Sequence, residues 1–224
     1  MPAWSPFVLI AANVFPLVGV LLWDWDAAAI VIFYWSENLI IGALTLLKML
    51  YRSPLLGWFS GAFFVVHYGG FCAVHGMFAT ALMGVDIGEP FDGIGLPFFL
   101  VFVEPLINVT VGVLEAAPPD WIWGFVAIAL SHFFSLLANY FGRHEYAVQT
   151  AQKLMVAPYR RIVVLHIAIL FGGWGTLALG SPLPLLIVLV LGKTILDLRM
   201  HLREHGLSWG ALFGVRESAP AASV

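Results

Sequence analysis

Cysteine and charge are what this chain has least of. A single cysteine, Cys72, excludes an internal disulfide and any cysteine-based zinc ribbon, so it reads as a small core residue. Only 10% of the residues are charged, against about 25% in soluble globular domains, and no basic run of the nucleic-acid-binding kind occurs. Nucleic acid is therefore set aside as a partner. No period of about 20 to 50 residues recurs, which argues against a repeat array. The N-terminus has no basic region, and its apolar stretch runs into Trp23-Asp24-Trp25-Asp26, not into a small-residue cleavage site. A retained first helix is the expectation.

What the chain has is apolar length. Hydrophobic residues make up 61% of its 224 positions, and runs of about 20 such residues cross a bilayer as helices. Six runs qualify, at 6–23, 27–50, 58–83, 121–142, 161–179 and 183–204, with a shorter one at 96–114 interrupted by Glu104-Pro105 and Asn108. Counting the short run as a crossing would put Arg143, Lys153, Arg160 and Arg161 opposite Lys48 and Arg52, against the positive-inside rule. If it does not cross, those cations fall on one face with Arg199, Arg203 and Arg216. Asp24, Asp26, Asp86, Glu89, Asp92, Glu115 and Asp120 then fall on the other. The fold expected is an all-α polytopic membrane bundle of six transmembrane helices plus one re-entrant or interfacial segment, with the lipid bilayer as its partner. It would form one membrane domain over 1–210, a disordered cytoplasmic tail over 211–224, and both termini in the cytoplasm.

Against that background the polar residues stand out. The third run holds His67-Tyr68-Gly69-Gly70-Phe71 and His75-Gly76, and ionisable groups at membrane depth are costly and face a bundle interior or a cavity. At ~1.5 Å per residue, Glu37, His75, His132 and Lys193 come out roughly 12 to 16 Å below the outer surface. The same arithmetic puts His67, His166 and Asp197 roughly 7 to 14 Å above the cytoplasmic surface, with Asn139 and His201 nearer that boundary. Two polar layers are predicted.

Three chemistries suit these residues, alongside a purely structural hydrogen-bond network that would include Asn38, Asn139 and His201. One is a divalent metal, zinc or iron, held by Glu37, His75 and His132 in the outer layer or by His67, His166 and Asp197 in the inner. An intramembrane hydrolase built on it would use Glu37 as general base and Lys193 to stabilise developing negative charge on a small or lipidic substrate. Another is haem b between His75 and His132, or between His67 and His166. The third is a proton-coupled transporter whose relay runs through Glu37, Lys193, Asp197 and the histidines, with 96–114 as a broken, cavity-lining element.

Asp197-x-x-x-His201-x-x-x-His205 resembles the last helix of the seven-helix zinc hydrolases that include alkaline ceramidases and the progestin and adiponectin receptors. A broader likeness rests on Tyr34-Trp35-x-Glu37-Asn38, His67-Tyr68-Gly69-Gly70-Phe71 with His75-Gly76, and Ser131-His132. Pro158-Tyr159-x-Arg161 with His166 and Lys193 with Asp197 complete it. Together these motifs resemble a family of bacterial multi-pass membrane proteins whose shared domain has no known function. That resemblance implies a bacterial inner-membrane location and a shared polar core.

Overall fold

The computed structural model describes residues 5–89 and 103–204. The expected tail at 211–224, His205, Arg216, Asp92 and the beginning of the interrupted run at 96–102 lie outside those residues, as do the side chains of His201 and Arg203. All the regular structure among the described residues is helical.

Helix α1 is Ser5–Leu22. α2 (Ala27–Arg52) begins where the Asp26 carboxylate accepts a hydrogen bond from the Ala28 amide at 2.8 Å, satisfying one of the orphan donors of its first turn. Ser53 alone separates α2 from α3 (Pro54–Met83): a proline cannot donate to the α2 ladder, but its fixed φ suits the first turn of a new helix. The chain therefore folds straight back. α3 stops at Gly84, where φ is 68°, a left-handed conformation that a side chain would strain.

α2 and α3 pack along most of their length. The Trp35 indole donates to the carbonyl of Cys72 at 2.8 Å, and the Tyr68 hydroxyl donates to the carbonyl of Asn38 at 3.0 Å. Gly76 lies directly under that indole, where a Cβ would come within 2.6 Å of the ring. This glycine makes room for a neighbour's side chain. Cys72 is buried in the same seam.

α4 (Glu104–Ala116) has 13 residues, about 20 Å, and packs on α3 without the length to cross a core of about 30 Å. α5 (Trp121–Ser135) continues as a π-helical stretch, Leu136–Phe141. A short α6 (Ala151–Val156) leads through Ala157 and Pro158 into α7 (Tyr159–Ile167). A π-helical stretch, Ala168–Gly172, then joins α7 to α8 (Gly173–Leu179). A tight turn at Gly180, φ 61°, sends the chain back as α9 (Leu183–Glu204), which packs on α1, α7 and α8.

Four stretches are long and apolar enough to cross a membrane: Ala27–Arg52, Trp58–Met83, Trp121–Phe141 and Ala151–Leu179. Their outer faces carry large bare side chains, among them Phe59 at 85% exposure and Trp174 at 75%, a surface suited to lipid. By length and composition, this is a helical membrane protein. Two of the six expected crossings fall short of that measure. The apolar described part of α1 is Ile10–Leu22, and α9 carries Lys193, Asp197 and Arg199 within its length. The apolar stretch that contains the crossing expected at 161–179 begins at Ala151. The 29 residues of this stretch, about 43 Å, exceed a core of about 30 Å, and the break at Pro158 leaves Arg161 in the first turn of α7.

Candidate functional site

α2, α5 and α9 run in the same direction, and each carries a polar residue at nearly the same distance from its start. Glu37 is ten residues beyond Ala27, His132 eleven beyond Trp121, and Lys193 ten beyond Leu183, or about 15 Å along each helix. There the side chains meet. His132 Nε2 lies 3.1 Å from Glu37 Oε1 and Lys193 Nζ 2.8 Å from Oε2. Because a carboxylate oxygen only accepts, the Nε2 of His132 carries the proton of this bond.

A fourth group completes the cluster. Arg161 reaches in from α7, its Nη1 2.9 Å from the same Oε1 that His132 contacts. Glu37 therefore takes three donors from three helices, and its side chain is 13% exposed. The carboxylate answers a lysine and an arginine, which leaves one positive charge in excess within this contact set, before His132 and before Asp197, one turn beyond Lys193 on α9, are counted. Such a surplus in a low-dielectric interior is tolerated only where further groups solvate it. The Tyr34 ring does part of this, lying 4.5 Å from Lys193 Nζ.

The cluster forms the floor of a cavity of about 720 Å³. Trp25, Asp26, Asp120 and Trp121 line it at the helix starts, Ile30, Phe33 and Ile128 along its walls, and Glu37, His132 and Lys193 at its base. Below, Glu37, Lys193 and Arg161 border a second space of about 30 Å³. The Glu37–Lys193 pair is therefore a partition between two cavities. Asn38, which also borders the smaller one, donates to the carbonyl of Tyr34 at 2.8 Å, while its buried Oδ1 has no partner among the described residues.

The other predicted residues go elsewhere. His75, 2% exposed, has Nδ1 2.6 Å from the carbonyl of Phe71 and Nε2 3.1 Å from Nδ1 of His166. The carbonyl obliges His75 Nδ1 to be the donor, so in the neutral pair His166 Nδ1–H donates to His75 Nε2. His67 Nδ1 lies 2.7 Å from the Tyr159 hydroxyl, its ring stacked on Phe63 at 5.1 Å between centroids. Asp197 accepts from the Asn13 amide at 3.2 Å, and Asn139 donates to Ser135 on its own helix at 3.1 Å.

One expectation is thereby corrected. Among the described residues no group of three His, Cys, Asp or Glu side chains is placed to hold a metal, so neither Glu37, His75 and His132 nor His67, His166 and Asp197 forms a ligand set. The histidines expected to pair on haem have other hydrogen-bond partners. His75 is joined to His166 and His132 to Glu37, while His67 is engaged by Tyr159. The cause is rotational. Residues at one depth on different helices share a site only if both faces turn toward it, and depth carries no information about the turn.

The residue missed outright is Arg161, together with Tyr159, Tyr34 and Asn13 as partners. α7 is the hub: Tyr159 and His166, seven residues apart, lie within about 20° on one face, toward the α3 histidines, while Arg161 lies about 160° from Tyr159, toward Glu37. The sequence signal was the Pro158-Tyr159-x-Arg161 motif, which opens the apolar part of a longer crossing.

The chain belongs to DUF6498, a family of unknown function, whose profile matches residues 2–208. No curated protein and no solved structure matches it.

Proposed function

Because a family of unknown function supplies no reaction, we propose from the geometry that this chain is a proton-coupled membrane carrier for a small or amphiphilic anion. The observation that carries this reading is the convergence of His132, Arg161 and Lys193 on the one carboxylate of Glu37, at the floor of the 720 Å³ cavity. In the empty state Glu37 acts as the internal anion. Protonation of Glu37 frees the two cations, and an incoming monoanion takes its place. The cluster then has the same net charge as before, so the two states carry similar electrostatic cost in a low-dielectric interior. Loss of the proton returns Glu37 to Lys193 and Arg161 and expels the anion. Each cycle moves one proton with one anion.

The same reading takes six crossings, α1 and α9 joining the four long apolar stretches. α9 turns two of its charges inward, Asp197 toward Asn13 of α1 and Lys193 toward Glu37 of α2. On this reading the arginine and lysine distribution puts both termini in the cytoplasm, and the family resemblance implies a bacterial inner membrane. The metal-dependent hydrolase loses its support with its ligand sets, and Glu37 and Lys193 change role from base and charge stabiliser to gate and anion site.

The test is uptake into proteoliposomes under an inward proton gradient, with inorganic phosphate, glutamate and octyl sulfonate as the anion panel and an internal pH dye. At least one anion is expected to enter with protons in the wild type and to fail in Glu37→Gln. Wild-type protein that moves none of the three overturns the proposal, as does uptake that persists unchanged in Glu37→Gln.

A further inference from the structure

On the side of α7 and α9 that faces away from Glu37, the two helices leave a groove of about 640 Å³. Its walls include Val163, Ile167, Leu191 and Ile195, all apolar and all exposed. The helices touch along its floor, where a Cβ on Gly192 would lie 2.8 Å from Cγ1 of Val164. The charged residues lining it are Arg160 and Arg199. Both are exposed, and every ion pair among the described residues ends on Glu37, not on either of these arginines.

The two arginines belong to one end of the groove. Arg160 is nineteen residues before the end of α8 at Leu179, and Arg199 is sixteen after the start of α9 at Leu183. At 1.5 Å per residue these are about 29 and 24 Å from the turn that joins the helices, close to the thickness of the hydrocarbon core. The groove is thus apolar across the depth of acyl chains and cationic at the depth of phosphates. Guanidinium groups match phosphate oxygens in shape as well as charge.

We propose that this groove is a binding site for one anionic phospholipid, its chains between α7 and α9 and its phosphate between Arg160 and Arg199. The site stands on the groove and its arginines, independently of the carrier reading. It does adjoin the Glu37 cluster, because Val164 and Leu196 line both the groove and the 30 Å³ space beside Glu37.

The test is native mass spectrometry of the full chain in detergent, titrated with palmitoyl-oleoyl phosphatidylglycerol, with phosphatidylcholine of the same chains, and with inorganic phosphate. One phosphatidylglycerol is expected to bind in preference to phosphatidylcholine, and phosphate alone is expected not to bind. Arg160→Gln with Arg199→Gln is expected to weaken phosphatidylglycerol about thirtyfold, at about 1 kcal/mol per arginine near the membrane surface. Arg143→Gln with Lys153→Gln removes the same charge elsewhere and is expected to change nothing. Leu191→Trp, at an exposed wall position, is expected to weaken both lipids. Equal binding of the two lipids, equal loss in the Arg143 and Lys153 variant, or phosphate binding as tightly as the lipid would each overturn the proposal.

Discussion

The two faces of α7 serve two different kinds of polar site. One face sends Arg161 into an ionic cluster that lines a cavity. The other sends Tyr159 and His166 to the histidines of α3, in pairs that need no formal charge. Both sites hold polar groups in an apolar bundle, but they meet the burial problem differently. On the histidine side His75 is closed, with one ring nitrogen on the Phe71 carbonyl and the other on His166, while His67 and His166 are exposed. The Glu37 cluster does not close, because two cations and a histidine share one carboxylate. A site left with surplus charge beside a large cavity is where an exogenous anion would be stabilised. The buried His75, with both ring nitrogens bonded, suits a structural role better.

The sharpest way to break this comparison is Glu37→Ala. Removing one partner of a buried ionic set leaves the other charges uncompensated, and about 3 to 5 kcal/mol of stability is expected to be lost, read from tryptophan fluorescence during unfolding in mixed micelles. Lys193→Met and Arg161→Met each leave Glu37 with one cation and balance the cluster at one charge of each sign. Each is expected to cost less than Glu37→Ala in the same assay, and an equal or greater cost would mean that the surplus positive charge is not a strain.

On the other face, His75→Ala is expected to cost about 1 to 3 kcal/mol, through the cavity and the acceptor and donor left behind at Phe71 and His166. If it matches Glu37→Ala, the contrast between the two faces fails. Tyr159→Phe, which removes only the hydroxyl that meets the half-open His67, is expected to cost about 1 kcal/mol or less, and anion uptake is expected to survive it.

The parts of this architecture that follow from linear arithmetic were open to reading from residues alone. Apolar run length separates membrane helices from soluble ones, the run at 58–83 ends where α3 ends though it begins four residues late, and the constant rise of a helix puts Glu37, His132 and Lys193 at one depth. Those three side chains do meet. The same arithmetic grouped His75 with them and His166 with His67, and there it misassigned the partners. Arg161 was read only as one of two adjacent arginines at the end of a crossing, because nothing in the run itself shows that its side chain reaches Glu37. The preceding Ala151–Val156 turn of helix was too short to register as part of it.

The sequence by itself determined the class of the protein, the positions of most helix ends, and the matching positions of Glu37, His132 and Lys193 along their helices, because these depend on local propensity, hydrophobic length and a fixed rise per residue. Only the tertiary structure decided which residues at similar depth share a site. That choice rests on the rotation of each helix about its axis and on which helices are neighbours. At α7 that rotation turns Arg161 to Glu37 and His166 to His75.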